Sequence, residues 1–296
     1  MKNNKVELFL DSGAFSAFTQ KVTIDIQEYI AFIKEHEDII DVYANLDVIG
    51  SAKGTWRNQV KMEKAGLSPL PTFHYGEDIK WLLQYLDRGH DYIALGGMVP
   101  ISTKDLRSWL DSLFSKYLTD DSGMPVCKVH GFGLTSLPLL FRYPWYSVDS
   151  TSWVMTSRLG AIQVPRWKGN KWIFDEMTWK ISVSNKSPSQ KEAGKHFTTL
   201  TIKEKELVLR YIEEKGYEMG KSSFRTEKEG YELQENERWA EKQTKGPREV
   251  EKIEERGLCN DYKLRDEISV LYYLDLEKSI QSWPWPFLIQ PSGFGL

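Results

Sequence analysis

Short apolar runs alternate with helix-like segments through the first half of this 296-residue chain, and this alternation most constrains its fold. Six apolar runs predict strands: 7–10, 39–46, 70–73, 92–95, 126–129 and 145–148. Between them, apolar residues recur at helical spacing in five segments: 24–36, 55–65, 78–86, 104–117 and 134–141. Short strands that are apolar on both faces are typical of buried parallel sheets. Their alternation with helices therefore predicts an α/β fold with right-handed crossovers.

The strand ends favour a closed barrel over an open, doubly wound sheet. No G-x-G-x-x-G follows the first strand and no P-loop lysine motif occurs, which weakens the case for nucleotide-binding open sheets. Nearly every strand ends in a polar residue or a glycine, namely Asp11, Asp47, His74, Gly96-Gly97, His130-Gly131 and Asp149. In a (β/α)8 TIM-type barrel these ends converge on the face that carries the active site, so we predict that fold. We expect 159–164 and 179–183 to supply the seventh and eighth strands.

The remaining chain is expected to form a helical extension. We predict a barrel domain over residues 1–200 and a helical C-terminal extension over 201–296, packed on the barrel. Thr201 and Glu204 form a capping-box pattern ahead of a helix at 201–217, and 266–280 is also helical in pattern. The highly charged stretch 219–256 is expected to be a helix or a mobile arm. The aromatic tail at 283–287 is expected to be extended and packed on the body.

Composition excludes several classes of protein. An apolar fraction of 41% and an aromatic fraction of 13% exclude a mainly disordered chain. Cys127 and Cys259 cannot build a disulfide framework, and alone they cannot build a structural zinc site. No apolar run approaches the roughly 20 residues of a membrane-spanning helix. The apolar run after the polar start is also too short for a signal peptide. We therefore expect a cytoplasmic protein with no membrane partner.

Carboxylates at different strand ends suggest chemistry. Asp11 and Asp149, facing each other across a pocket, could act as general acid/base and nucleophile, as carboxylate pairs do at sugar anomeric carbons. Asp47 could accept hydrogen bonds from the N–H groups of a heterocycle. A single aspartate after a strand is often only a helix N-cap, but three at different strand ends are harder to dismiss.

Other strand-end residues are candidates for holding a planar ligand. Gly96-Gly97 would allow a ligand to approach backbone N–H groups, although a glycine pair is a simple turn in most proteins. Phe15 could stack on a base. His74 and His130 are candidates as well, although histidines at such positions are more often loop or core residues.

Five strand-end segments together resemble motifs of the tRNA-guanine transglycosylases, the family of queuine tRNA-ribosyltransferase. The segment 11–16 (DSGAFS) resembles the family's D-S-G-G-[FY]-Q, and 43–47 (YANLD) resembles its second Asp-bearing strand. The segment 95–98 (LGGM) resembles its G-G-L backbone site, and 130–135 (HGFGLT) its M-G-V-G-T/S turn. The segment 146–152 (YSVDSTS) matches the position and order of its nucleophile segment. The resemblance covers roughly residues 7–165.

The resemblance implies a role for each matching residue. Asp149 would be the nucleophile that attacks C1′ of a guanine nucleoside, and Asp11 the general acid/base. Asp47 would bind the N–H edge of guanine or of a 7-deazaguanine. The backbones at Gly97 and Met98, beside Gly96, would bind the carbonyl edge. Phe15 would stack on one face of the base, and the other face would lie near His130.

Two departures from the family pattern refine the expected substrate. His74 stands where the family has a glutamine that contacts the base, so that contact is in doubt. The C-x-C-x-x-C…H zinc site, which helps the tRNA enzymes to hold tRNA, has no counterpart here. The chain is most similar to a related group, found largely in phages and bacterial islands, that exchanges guanine in DNA for a 7-deazaguanine such as 7-cyano-7-deazaguanine. A phage-encoded member would act in the host cytoplasm.

The expected partners follow from this resemblance and from a local excess of positive charge. Residues 151–205 contain ten Lys and Arg against four Asp and Glu. Four of these cations, interleaved with tryptophans, follow the nucleophile strand and suit a phosphate backbone beside a base flipped out of the duplex: Arg158, Arg166, Lys168 and Lys171. Alternatively the cations form a solvated loop and the tryptophans pack the barrel. We expect DNA and a 7-deazaguanine base as partners, with no resident cofactor and no metal; a homodimer or an accessory protein stays open.

Three other functions stay open from the sequence. The same chemistry on tRNA is the first. The second is a catalytically silent barrel that binds nucleic acid as a subunit, although such a protein has no need of both Asp11 and Asp149. A glycoside hydrolase would share the carboxylate pair, but it would not need Asp47 and Gly96-Gly97 to recognise a base edge.

Overall fold

The computed structural model describes residues 7–134, 136–187, 192–240 and 246–289, so Thr135 of the fourth motif lies outside the described residues. The chain divides into two compact units. The first runs to Ser150 and also includes the chain from Ser282; the second is Thr151–Gln281. This division differs from the boundary after residue 200 that the sequence suggested. None of the helices in the described part of the chain combines the length and apolar character needed to cross a membrane.

Six short parallel strands form the centre of the first unit. They are β1 (Phe9–Leu10), β2 (Val42–Tyr43), β3 (Thr72–His74), β4 (Tyr92–Gly96), β5 (Lys128–Gly131) and β6 (Ser147–Val148). β1 pairs with β2, and β3 to β6 pair in chain order. A parallel bridge between Ala44 and Leu70 joins these two groups. The six predicted strands are therefore confirmed, in consecutive order without the reversal that defines a doubly wound sheet.

Side-chain contacts indicate that this sheet is strongly curved. β1 and β5 are four positions apart in the strand order, which in a flat sheet is roughly 19 Å at the usual spacing of about 4.8 Å. Yet the rings of Phe9 on β1 and His130 on β5 stack with centroids 4.6 Å apart. The inner face of the sheet therefore bends round on itself.

Helices connect the strands of the first unit, as predicted. They are α1 (Ala14–Gln20), α2 (Ile26–Glu35), α3 (Ala52–Lys64), α4 (Lys80–Asp87), α5 (Thr103–Leu113) and α6 (Leu137–Arg142). Asp25 caps α2 by accepting hydrogen bonds from the N–H groups of Gln27 and Glu28. Helix α1 was not predicted; it begins after Gly13, whose φ of 70° favours glycine. In the aromatic tail, Phe287 is buried and packs with its ring centroid 5.1 Å from that of Tyr143, as expected.

The second unit begins with α7 (Ser152–Arg158), followed by β7 (Ala161–Val164), β8 (Arg166–Lys168), β9 (Lys171–Ile173) and β10 (Trp179–Ser182). The expected seventh and eighth strands are present as β7 and β10, but they pair antiparallel to each other. The reason lies in their connection, because parallel neighbours need a crossover, usually a helix. Here the connection contains the antiparallel hairpin β8–β9, which turns at Gly169-Asn170 with both φ values positive.

The rest of the second unit is only partly helical, which corrects the prediction for 201–296. Its helices are α8 (Ile202–Glu214), which carries the predicted capping box, and α9 (Tyr262–Ser279). Between them, β11 (Lys221–Glu227), β12 (Glu237–Trp239) and β13 (Arg248–Glu255) form an antiparallel sheet in the order β11–β13–β12. The stretch expected to be a helix or mobile arm is therefore largely sheet.

Cross-strand ion pairs explain why so charged a segment forms a sheet. The Arg225 guanidinium lies 2.7 Å from Glu237, and that of Arg238 lies 2.8 Å from Glu251. Glu251 is fully buried and also accepts a hydrogen bond from the Ser222 hydroxyl. Arg238 and Glu251 lie on the paired strands β12 and β13, whereas Arg225 and Glu237 lie on the two outer strands, β11 and β12. Oppositely charged side chains on paired strands stabilise a sheet, and this pattern cannot be seen from the charge content alone.

Candidate active site

The first unit brings three strand-end aspartates into one electrostatic group. Asp11 follows β1, Asp47 lies shortly after β2, and Asp149 follows β6. Desolvation by the surrounding protein raises the pKa of Asp11, and the negative charges of Asp149 and Asp47 raise it further. A hydrogen bond from the Gly13 N–H opposes this rise without cancelling it. Asp11 therefore binds a proton more tightly than an ordinary aspartate does.

The pKa of Asp149 is shifted in the opposite direction. Desolvation alone would raise the pKa of Asp149, but His130 and the Gly133 N–H outweigh it and hold that pKa below its ordinary value. The Gly133 N–H donates to Oδ1 of Asp149 at 2.8 Å, and Nε2 of His130 lies 3.6 Å from the same oxygen. The Asp149 side chain is 48% exposed, so a ligand can reach it. Two nearby carboxyls with opposed pKa shifts can divide nucleophilic and acid–base work.

Asp47 is held by a histidine between two carboxylates. Nε2 of His74 lies 3.2 Å from Oδ2 of Asp47, and Nδ1 of His74 lies 3.3 Å from Oε1 of Glu77. Burial disfavours the imidazolium, but the hydrogen bonds and charges of these two carboxylates raise the pKa of His74 to about 10. His74 is thus a cation at neutral pH. The other oxygen of Asp47, Oδ1, is buried and accepts no hydrogen bond from any described residue, which leaves it for an N–H donor of a ligand.

The glycine pair after β4 lies directly against His74. A Cβ on Gly96 would come within 2.9 Å of Cδ2 of His74, so only glycine lets the imidazole lie across this strand end. Gly97 has a φ of 68°. The N–H groups of Gly97 and Met98 donate no hydrogen bond to any described residue. Gly97 lies against His74, which in turn contacts Asp47, and the two N–H groups stay candidates for binding a carbonyl oxygen.

The two candidate stacking residues occupy different environments. Phe15 lies on α1 and is 61% exposed, and its ring stacks on no other ring in the described part of the chain. It is therefore open to a base. His130 is only 2% exposed, with Phe9 stacked on its face and Phe132 against it edge-on. Its ring is thus packed within the sheet's inner face and approaches the site through Nε2.

The four basic candidates lie in the second unit. Arg158 ends α7 and is exposed, whereas Arg166 forms an ion pair with Asp175. Lys168 and Lys171 flank the turn of the β8–β9 hairpin, are exposed, and form no ion pair with another described residue. The neighbouring tryptophans are engaged in packing: the rings of Trp167 and Trp172 are 4.7 Å apart, and the Arg210 guanidinium lies over Trp167.

Sequence reasoning missed four residues that shape the site. Phe9 and Ser147 stand two residues before Asp11 and Asp149, and the two-residue period of a strand places each on the same face as its aspartate. That period was the available signal. Glu77 follows His74 by three residues in the turn after β3. Tyr92 reaches the site only through Ser147, and no local pattern in the sequence marks it.

A separate cavity of about 630 Å³ opens at the other ends of the strands, lined among others by Asp41, Glu63, Arg88 and His90. These residues lie at or before the amino ends of β2 to β4, or on the helices that precede them. The three aspartates lie at the carboxyl ends, where α/β folds place their chemistry. We therefore assign the candidate site to the carboxyl ends.

Within the described ranges, no group of three or more His, Cys, Asp or Glu side chains is placed to hold a metal ion. In comparisons with known proteins, no family model, no curated protein and no solved structure matched this chain. The candidate site is therefore defined by its own geometry.

Proposed function

We propose that this protein is a DNA-guanine transglycosylase, which exchanges guanine in DNA for a 7-deazaguanine such as 7-cyano-7-deazaguanine. The single observation that carries the proposal is that the pKa values of two strand-end carboxyls, Asp11 and Asp149, are shifted in opposite directions. The pKa of Asp11 is raised above its ordinary value, whereas the pKa of Asp149 is lowered below it. Displacement at C1′ of a nucleoside needs both a carboxylate nucleophile and a carboxylic acid for the departing base.

The proposed reaction has two balanced half-reactions. In the first, a carboxylate oxygen of Asp149 forms a bond to C1′, the C1′–N9 bond breaks, and the departing guanine takes the proton of Asp11. In the second, the incoming 7-deazaguanine returns a proton to Asp11 as its ring nitrogen bonds to C1′ and Asp149 leaves. The enzyme regains its starting state, and no redox step is involved.

Base recognition would use the groups around Asp47. Its unpaired Oδ1 would accept N–H groups from the guanine edge, while the N–H groups of Gly97 and Met98 would bind the carbonyl oxygen. The His74 cation fixes the orientation of Asp47 through Oδ2. Phe15 would cover one face of the base. Both guanine and a 7-deazaguanine present this donor and acceptor edge, so one pocket could hold each in turn.

The fold and the partner complete the proposal. We propose that the six parallel strands form the wall of a (β/α)8-type barrel, supported by their consecutive order and by the Phe9–His130 stack. Lys168 and Lys171 would contribute to binding the phosphate backbone, since both are exposed at a hairpin turn.

A base-exchange assay tests the reaction. DNA and tRNA, each labelled in guanine, are incubated separately with the protein and 7-cyano-7-deazaguanine, and released label is counted. We expect release from DNA that is lost in Asp149→Asn and in Asp11→Asn. The exposed Asp38 provides the matched control, since Asp38→Asn removes a charge away from the strand ends. Release of label from tRNA alone would refute the proposal that DNA is the substrate. No release from either nucleic acid would refute the proposed base exchange.

Two further measurements test the roles of the carboxyls. A covalent DNA–protein adduct should survive denaturation of the wild-type mixture and be absent with Asp149→Asn. The first half-reaction should gain activity as pH rises through the lowered pKa of Asp149, and lose it as pH rises through the raised pKa of Asp11. If Asp149→Asn still forms the adduct, the nucleophile is another residue.

A further inference from the structure

A chain of short hydrogen bonds crosses the inner face of the sheet and ends beside Asp149. The hydroxyl of Tyr92 on β4 lies 2.6 Å from Oγ of Ser147 on β6. The same Oγ lies 2.6 Å from Nδ1 of His130 on β5. The remaining ring nitrogen, Nε2, is buried without a hydrogen bond of its own and lies 3.6 Å from Oδ1 of Asp149. Three neighbouring strands thus contribute to one line of polar atoms.

The contact of His130 with Asp149, at the end of this line, decides which group donates each hydrogen bond. A carboxylate repels the lone pair of an unprotonated nitrogen, so the favoured tautomer of His130 has the proton on Nε2. In the neutral ring Nδ1 then accepts, which makes Ser147 the donor to His130 and Tyr92 the donor to Ser147. The opposite order would aim a lone pair at Asp149.

Aromatic packing fixes the ring of His130 in this orientation. Phe9 stacks on the imidazole with an interplanar angle of 21°, and the Phe132 ring lies 4.5 Å away at 76°. Among the residues facing this ring in the described structure, Asp149 is the charged one, and Tyr92 is the further titratable group, reached through Ser147. The ring therefore responds to the Asp149 carboxylate more directly than to any other charge.

We propose that His130 is a positioning residue for Asp149, with its Nε2–H fixed toward the carboxylate by the Ser147–Tyr92 relay. In this role His130 favours the ionised nucleophile and limits the orientations of its carboxylate. The role rests on the proposed function for its catalytic consequence. It differs from the role implied by the motif resemblance, in which the region of His130 covers a face of the base.

The relay has a test that needs no substrate. The chain contains five histidines, so ring ¹⁵N spectra are simple, and His130→Gln identifies the signal of His130. We expect the Nε2–H tautomer in the wild type, and a weaker preference for it in Ser147→Ala, in which Asp149 alone still favours that tautomer. Tyr92→Phe should weaken the preference without abolishing it. An Nδ1–H tautomer in the wild type would overturn the proposal.

A carboxyl titration measures the effect on Asp149 directly. With ¹³C-labelled aspartate, the pKa of Asp149 should rise in His130→Gln and, by a smaller amount, in Ser147→Ala. Ser269 provides the control, because it is a buried serine that lies in the second unit and its hydroxyl has no partner in the described structure. Ser269→Ala should leave the titration of Asp149 unchanged. An unchanged titration in His130→Gln, with the other histidine signals at native positions, would refute the role.

Kinetic measurements distinguish a failure of this proposal from a failure of the proposed function. If base exchange occurs, Ser147→Ala should reduce kcat with little change in the KM for the base, and should move the acid limb of the pH profile upward. A rise of one unit in the pKa of Asp149 lowers the rate about tenfold on that limb. If the wild type exchanges no base but shows the expected His130 tautomer and Asp149 titration, the proposed transglycosylase function is refuted and the role of His130 is supported. If base exchange occurs but the acid limb of the pH profile is unshifted in Ser147→Ala, only the proposed role of His130 and its relay is refuted.

Discussion

The partly buried cation His74 should make stability depend on pH in a window where few other groups titrate. Its pKa of about 10 in the folded chain compares with about 6.5 for an unfolded histidine. Between these values the folded state binds one proton more than the unfolded state. The contribution of this group is therefore complete below about pH 6.5 and is lost as pH rises toward 10.

The expected slope follows from this difference of one proton. The free energy of unfolding should fall by at most about 1.4 kcal/mol for each pH unit, and by about 2.5 kcal/mol between pH 7 and pH 9. Other titrating groups contribute as well, so the comparison is between the wild type and His74→Gln at each pH. The stability advantage of the wild type should shrink with this slope.

Urea unfolding followed by far-ultraviolet circular dichroism, at pH 7, 8 and 9, measures the two proteins. His36→Gln is the control, since it removes a histidine away from the three aspartates and should give a constant difference. Ring ¹⁵N spectra provide a direct check, because His74 should stay protonated past pH 9. Two results would refute the conclusion that Asp47 and Glu77 stabilise the His74 cation. One is a stability difference between wild type and His74→Gln that does not change with pH, and the other is a His74 signal that titrates near pH 6.5.

Three further expectations address packing, capping and DNA binding. Gly96→Ala places a Cβ 2.9 Å from His74; it should cost about 1–3 kcal/mol in urea unfolding and weaken binding of the base, and native stability with native binding would contradict this. Thr201→Ala removes the capping box of α8 and should cost about 1 kcal/mol; an unchanged unfolding midpoint would mean the cap contributes nothing. Lys168→Gln with Lys171→Gln should weaken DNA binding, and each lost phosphate contact should reduce the salt slope by about 0.9; an unchanged slope would remove the hairpin from the interface.

The parallel strands of the first unit were predictable because their signals are local. A buried strand must be apolar on both faces, and the polar residue or glycine that ends it follows immediately in the chain. Asp11 and Asp149 could be selected in this way. Their opposed pKa shifts could not, since these depend on groups such as His130 and Gly133 that other strand ends contribute.

The second unit was harder to predict because its strands depend on partners distant in the chain. The segments β7 and β10 were found, but their antiparallel pairing follows from the hairpin between them. The charged stretch that contains β11 to β13 was expected to be a helix or a mobile arm. Its sheet is stabilised by pairs such as Arg238 with the buried Glu251, and a run of mixed charges does not reveal which cation will neutralise which carboxylate.

The sequence by itself determined the order of the six strands and of five of the helices in the first unit, and it placed three aspartates, a glycine pair and two histidines at the strand ends. These properties depend on the spacing of apolar residues and on the turns between elements, which act over a few residues. The tertiary structure alone decided that His74 is a partly buried cation between Asp47 and Glu77, and that His130 connects Tyr92 and Ser147 to Asp149. Protonation depends on burial and on charges a few ångströms away, and only folding brings those groups together.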